Sequence, residues 1–439
     1  MKKAALLLLL TASGWGATCF AKSTLEMAAE SAPREPVAEF SLEQLTSVVL
    51  KHNHVLLSAR SSLDGALAGV KTASALGNPK VEWHQGQWQP IGMSRQQQVR
   101  GWGISQPIEN PLTRRARMDG AQSGLLVSGQ QLAMTKNDLV AQVQTRAYEA
   151  LLYQSEAEAA ADTLVLLEQV RERIRVRVET GEAPRYEMIK ADAEVIHARE
   201  RQQTASLMAE QALLELNRLA AGQLPARWKL NAPFHEGPEF SRLDLVQLQE
   251  QAENQNPELI GLKHELERAQ AQLRAAHTAR WPGMELRYSE NREPEVRQSI
   301  WGVVVQIPLL DQRSGPIAEA QAEVERIRAR LDGRRAELRQ QILLAWRSLE
   351  MTRLRVDALS QGVIKEAEAA LRVAQAAYRF GERGILDVLD AQRVLYLEEL
   401  NLAQSQAQTT LYLIALYKAL GGAGQLEVKP VDEPLRPWG

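Results

Sequence analysis

Two carboxylates three residues apart, Asp387 and Asp390, follow a tyrosine and an arginine, Tyr378 and Arg383, in the stretch YRFGERGILDVLDAQ. On a helix that spacing puts both acids on one side. There they either gather cations or sit in the first turns because the macrodipole favours negative charge at a helix N-terminus. Nothing nearby supplies a nucleophile and its base. The 439 residues contain no HExxH, no GxSxG elbow, no phosphate-binding glycine loop and no Cys–His pair, which argues against an enzyme. His52 and His54 invite a metal site, but two residues apart on a helix they point to different sides with no acid close in sequence. His264 and His277 fare no better, and the methionines are scattered, so no bound metal or cofactor is expected.

The elements that carry the acids form a turn between two helices, and the chain contains that turn twice. Val178 to Asp192, VETGEAPRYEMIKAD, repeats the pattern 200 residues upstream, with Gly181 on Gly381, Glu182 on Glu382 and Glu187 on Asp387. Glycine ends a helix by taking φ > 0, and Pro184 suits the first turn of the next. The duplication reaches further: Asn53 falls on Asn256, Pro79 on Pro282 and Trp102 on Trp301, with a shift of 199 to 203 residues throughout. So long a period marks copying of a whole unit rather than a solenoid. Each copy reads helix, strand, strand, long helix, turn, helix.

In chain order, residues 1–21 have a positive start, an apolar middle and the small exit Cys19-Phe20-Ala21, the pattern of a secretory signal peptide. Cys19 is the only cysteine; its alternative role is a lipid anchor at a new N-terminus. Residues 22–40 read as an extended leader, 41–222 as the first repeat, 223–240 as a linker, 241–421 as the second repeat and 422–439 as a tail. Ser41 is a good N-cap for a helix with a break near Asn53. From Lys80 the period changes to alternation, Val81 and Trp83 against Glu82 and His84, with a polar tip at Gln85 to Gln97. Met284, Leu286 and Tyr288 alternate in the same way against Glu285, Arg287 and Ser289. Each repeat therefore holds a β-hairpin, at about 80–107 and 283–308, apolar on one face. Long helices follow at about 113–180 and 316–380. The second keeps apolar steps near 3.5 residues and would be about 95 Å long at 1.5 Å per residue. Such a period demands coiled-coil partners, which the returning helices Tyr186–Leu219 and Ile385–Leu420 supply.

Aromatic residues are 5% of the chain, while net charge −2 and pI near 6.5 give no basic excess for nucleic acid. After the first 21 residues no apolar run reaches the ~20 needed for a spanning helix. Half-apolar hairpins in an exported protein suggest a transmembrane barrel instead. Four strands cannot close, whereas two chains supply eight and three supply twelve, the smallest single-chain barrels having about eight. The expected fold is mainly α with a membrane β-barrel.

The duplicated layout, the strand exit GISQPIENPLTRRAR and above all YRFGERGILDVLDAQ with its LYKALGG ending resemble the TolC family of outer-membrane efflux channels. The resemblance implies a homotrimer with a twelve-stranded barrel in outer-membrane lipid and an α-helical coiled-coil barrel reaching across the periplasm. It also implies a periplasmic adaptor and an inner-membrane RND pump as partners. The exit followed by RRAR is similar to the CzcC-like branch, which serves pumps exporting heavy-metal cations; channels for drug efflux or type I protein secretion are the alternatives. By the family motif Tyr378 and Arg383 help close the periplasmic end, and Asp387 with Asp390 forms a carboxylate ring. Gly181, Glu182, Gly381 and Glu382 lie at the tips that meet the adaptor. Upstream, Lys190 and Ala183 replace the second acid and the arginine, so the two hairpins cannot gate identically. A periplasmic coiled-coil protein of purely structural role is the rival from another class, and it predicts no barrel.

Overall fold

A computed structural model describes residues 38–422 except 90, 92–96, 226, 233–243, 294 and 308–309. The signal peptide with Cys19, most of the leader, part of the linker and nearly all of the tail lie outside the described residues. The first repeat runs β1 (Ala38–Phe40), α1 (Leu42–His52), α2 (His54–Ser74), β2 (Lys80–Trp88), β3 (Gln97–Ile108), α3 (Pro111–Glu179) and α4 (Arg185–Leu219). After β4 (Trp228–Leu230) the second repeat runs α5 (Leu245–Gln255), α6 (Pro257–Thr278), β5 (Gly283–Arg292), β6 (Arg297–Gln306), α7 (Ser314–Ala358), α8 (Ile364–Arg379) and α9 (Ile385–Leu420). Helix α3 has 69 residues, about 100 Å of rise.

Two sequence expectations are corrected. The tip of the first hairpin is shorter than Gln85–Gln97, because β2 continues through Trp88. The long helix after the second hairpin is interrupted by a π turn at Leu359–Val363, between α7 and α8. Gly362 and Ser360 in that turn are weak helix formers, and apolar spacing carries no trace of one wide turn. The extended leader and the linker also meet: β1 and β4 pair in parallel, Ala38 with Trp228 and Phe40 with Leu230, and the rings of Phe40 and Trp228 lie edge to face at 5.8 Å.

Each repeat closes on its own core. Leu45 and Val49 of α1 pack with Val143 of α3, Leu216 of α4 and Trp228; Leu248 of α5 packs with Ile342 of α7 and Leu413 of α9. One asparagine per repeat makes the joint. Ser41 caps α1 through a capping box, and α1 then breaks at Asn53, whose Oδ1 accepts from Val55 N at 2.9 Å while Nδ2 donates to the Leu219 carbonyl at 3.0 Å. Asn256 does the same between α5 and α6, its Oδ1 accepting from Glu258 N at 2.9 Å and its Nδ2 donating to Ala419 O at 2.9 Å. Asn256→Ala removes a cap and strands a carbonyl in a buried joint, a loss of about 2–3 kcal/mol. Urea unfolding followed by helical circular dichroism is expected to shift accordingly, and Asn256→Asp, which keeps the cap, is expected to lose less. A midpoint unchanged in Asn256→Ala would contradict the joint.

The four-stranded antiparallel sheet has the order β2-β3-β5-β6. Its register places Val81 opposite Ile104, Ile104 opposite Tyr288 and Tyr288 opposite Trp301, so the apolar residues of both hairpins share one face. Tyr288 sits 5.4 Å from the Trp102 ring and 4.6 Å from Trp301, an aromatic row across three strands. Trp83 and Trp301 are 67% and 81% exposed, an exposure that only lipid or a partner would relieve. The opposite face is mostly polar, with Ile300 and Val304 of β6 as apolar exceptions. There His84 Nε2 and Asn291 Oδ1 meet at 2.9 Å across β3, directly over Gly101, where a Cβ would collide with both.

At the exit from the sheet, the RRAR motif has a structural job. Arg114 donates to Ser74 O at 2.8 Å and Arg117 to Ala73 O at 3.0 Å, satisfying the carbonyls that α2 leaves unpaired at its end, while Glu109 holds Arg117 at 2.7 Å. These arginines lock the start of α3 to the end of α2.

Candidate functional site

The two turns form by the same local chemistry. Gly181 and Gly381 take φ of +79° and +76°, the left-handed conformation that only glycine adopts freely. Glu182 N donates to Arg177 O at 2.8 Å and Gly181 N to Val178 O at 3.2 Å; Glu382 N to Ala377 O and Gly381 N to Tyr378 O repeat the arrangement at 2.9 and 3.1 Å. Both are Schellman ends. Pro184 sits at the N-cap of α4, one position before its first turn.

The hairpins α3–α4 and α8–α9 pack together near their tips through Ile174, Ala191, Ala374, Ile385 and Val388. Asp387 lies in the first turn of α9, and both acids are exposed. Each has an arginine of its own chain: Arg383 reaches Asp387 at 3.8 Å, and Arg393 reaches Asp390 at 2.6 Å. Arg383 thus pairs within its own hairpin and makes no ion pair to the other among the described residues. Tyr378 does cross over. Arg177, from the end of α3, sets its guanidinium 5.0 Å from the Tyr378 ring centre, and the neighbouring hydroxyl pushes Arg177 still further from losing its proton. Sequence reasoning missed Arg177, since a helix-surface arginine carries no sign of a ring 201 residues away. In the first hairpin Lys190 lies 6.0 Å from the ring of Tyr186, a contact inside one hairpin with no counterpart in the second.

Higher up the α8–α9 hairpin, Glu399 is half-buried, and burial first, then the charge of Glu368, pushes its carboxyl up to about 7. A carboxyl raised above its unfolded value of about 4.3 costs nothing below that pH and destabilises increasingly as pH climbs to the folded pKa. Glu399→Gln is therefore expected to raise the melting temperature at pH 8, with the gain shrinking toward pH 5. A gain independent of pH would show that the side chain titrates normally.

His52 and His54 fall on either side of the Asn53 break, and His264 bonds Glu267 at 2.9 Å. Among the described residues no three potential metal ligands lie together, and no helix is long and apolar enough to cross a membrane.

A sheet with one exposed apolar face, continued by helices about 100 Å long, defines an outer-membrane channel that extends into the periplasm. The family described as outer membrane efflux protein matches residues 45–222 and 248–422, and the chain belongs to it. It is thus a passive efflux channel rather than an enzyme, working with a periplasmic adaptor and an inner-membrane pump. The chain is similar to the cobalt-zinc-cadmium resistance protein CzcC of Cupriavidus metallidurans, 26% identical over 371 residues, 83% of this chain and 86% of that one. It is also similar to the pyoverdine export outer membrane protein OpmQ of Pseudomonas aeruginosa, 24% identical over 354 residues, 76% of this chain and 70% of that one. A solved structure of CusC superposes with a TM-score of 0.76 at 17% identity, covering 87% and 92% of the two chains. The purely structural coiled-coil alternative is set aside by this membership.

Proposed function

We propose that three copies close head to tail into one duct, which conducts heavy-metal cations from pump and adaptor to the outside. The observation that carries it is a shared open edge. The sheet ends on β2 and β6; the upper helices pack in the order α2-α3-α6-α7, and the lower ones run α4-α3-α9 and then α7 and α8. Every tier begins with first-repeat elements and ends with second-repeat ones, so a single rotation can join all the edges at once. Apolar residues wait on the outer helices, among them Ile189 and Ile196 of α4 and Leu344 and Met351 of α7. Twelve strands from three chains would remove both sheet edges, which lipid does not tolerate unpaired.

A cysteine at Val81 of β2, tested against cysteines at Ser299, Trp301, Val303 and Val305 of β6, examines the closure. Crosslinks are expected between chains, giving a ladder that ends at three. Crosslinks within one chain would break the reading.

The division into signal peptide 1–21, repeats 41–222 and 241–421, linker and tail belongs to the same proposal. So do the tips: Gly181, Glu182, Gly381 and Glu382 would meet the adaptor, and Tyr378, Arg383, Asp387 and Asp390 would close the periplasmic end. Cysteines at Glu182 or Glu382 should crosslink to adaptor; crosslinks only at the sheet would misplace the contact. CzcC supports metal cations as cargo because it matches more of the chain than OpmQ does.

A further inference from the structure

On the polar face of the sheet a carboxylate and an imidazole share one cup. Glu82 and His84 lie two apart on β2, so they project to the same side about 6.6 Å from each other along the strand. Gly103 and Gly101 lie opposite them on β3, and Ser289 and Asn291 stand opposite those glycines on β5. Glu82, His84, Gly103, Ser289 and Arg287 line the cup. The imidazole is held in one pose: Asn291 Oδ1 accepts from its Nε2 at 2.9 Å across Gly101, where no Cβ obstructs the bond. An amide oxygen cannot donate, so in the neutral ring Nδ1 keeps its lone pair. A histidine whose far nitrogen donates to a fixed acceptor is the arrangement that orients an imidazole toward a metal. The duplication sharpens the point. At a shift of 203 residues the counterparts of Glu82 and His84 are Glu285 and Arg287. Those two close on each other at 3.3 Å, which also compensates the charge of Arg287 at the cup. In the first repeat an imidazole replaces the guanidinium, and Glu82 is left without an ion pair among the described residues.

We propose that Glu82 and His84 form a transient binding site for borderline divalent cations such as zinc, cobalt and cadmium, one site per chain on the inner wall of the sheet. This deepens the reading of the duct as a path for heavy-metal cations, and rests on it. One imidazole nitrogen and one carboxylate oxygen suit such ions, whereas magnesium and calcium prefer oxygen alone. Bonds of about 2.0–2.2 Å from each ligand reach a single ion held between neighbours two apart on a strand. Water completes the shell. Two protein ligands hold a cation weakly, which suits a passage, since an ion bound too tightly does not leave. Every group of the site comes from one chain, so the site exists before the chains assemble.

Diethyl pyrocarbonate, which acylates an imidazole through a nitrogen lone pair, tests the site residue by residue. The purified mature protein in mild detergent is treated with and without Zn2+, and modification at each histidine is read by peptide mass spectrometry. Zn2+ is expected to protect His84, while Mg2+ at the same concentration leaves it reactive. Glu82→Gln keeps the His84–Asn291 bond and removes one ligand; the half-protecting Zn2+ concentration should rise about tenfold or more, and about tenfold in Asn291→Ala, which frees the ring. His52 and His54 serve as internal controls and should react alike in parent and Glu82→Gln. Equal modification of His84 with and without Zn2+, equal protection by Mg2+, or an unaltered half-protecting concentration in Glu82→Gln would each overturn the proposal. Should Glu82→Gln fail to fold, the comparison of Zn2+ with Mg2+ in the parent decides alone. Failure of the duct or cargo reading looks different: Zn2+ then still protects His84 in the purified protein, although the native mass is that of one chain, or cells with and without the chain hold the same cobalt, zinc and cadmium.

Discussion

With Asp387 and Asp390 both replaced by alanine, the channel is expected to turn from cation toward anion preference and to lose its block by trivalent cations. The reason lies in the pairs at the tip. Arg383 and Arg393 each face one of these acids in the same chain, in exposed positions where ion pairs contribute little and water screens them. In a closed ring of three chains the carboxylates crowd a narrow passage and concentrate counter-cations there. Removing both acids leaves two unpaired arginines per chain, so the sign of the ring reverses instead of fading to neutral. The half-blocking concentration of a trivalent cation should rise about tenfold or more, which corresponds to losing roughly 1.4 kcal/mol of binding. Conduction and block identical to the parent would mean that these acids face the outside of the tube.

The second large effect concerns cargo. Cells lacking this chain are expected to accumulate cobalt, zinc or cadmium several-fold over cells that carry it, with pump and adaptor present in both. Tolerance of organic drugs should change little. The expectation rests on the match to CzcC, and the weaker match to the pyoverdine export protein OpmQ names the competing outcome: loss of pyoverdine export with metal content unaltered. Complementation with a chain locked between β2 and β6 of neighbouring copies should restore export, since that seam does not need to move.

Much of this architecture was legible because duplication doubles every signal. Gly181 and Gly381 announce the turns independently, and Asn53 and Asn256 mark the same joint twice; both asparagines prove to cap one helix and tie down the end of another. Alternation through Met284, Leu286 and Tyr288 identifies the strands because a half-apolar strand has period two. What stayed hidden depends on partners remote in sequence or on geometry without a pattern. The β1–β4 pair joins three-residue strands about 190 positions apart, too short for any periodicity. The π turn at Leu359–Val363 changes one turn of a long helix. The RRAR motif is readable as a mark of the CzcC-like branch, but its structural job is not: Arg114 and Arg117 serve the end of α2, about 40 residues earlier. At the tip, Arg383 pairs with Asp387 four residues along, and the contact that crosses between the hairpins comes from Arg177, which no motif marks.

That three copies close one duct is tested most directly by the native mass of the mature protein extracted in mild detergent. Three chains in a single species, separating only on heating, is the predicted result. A homogeneous single chain that retains its strand signal in circular dichroism would contradict it, because the β2 and β6 edges would then remain unpaired in a stable molecule.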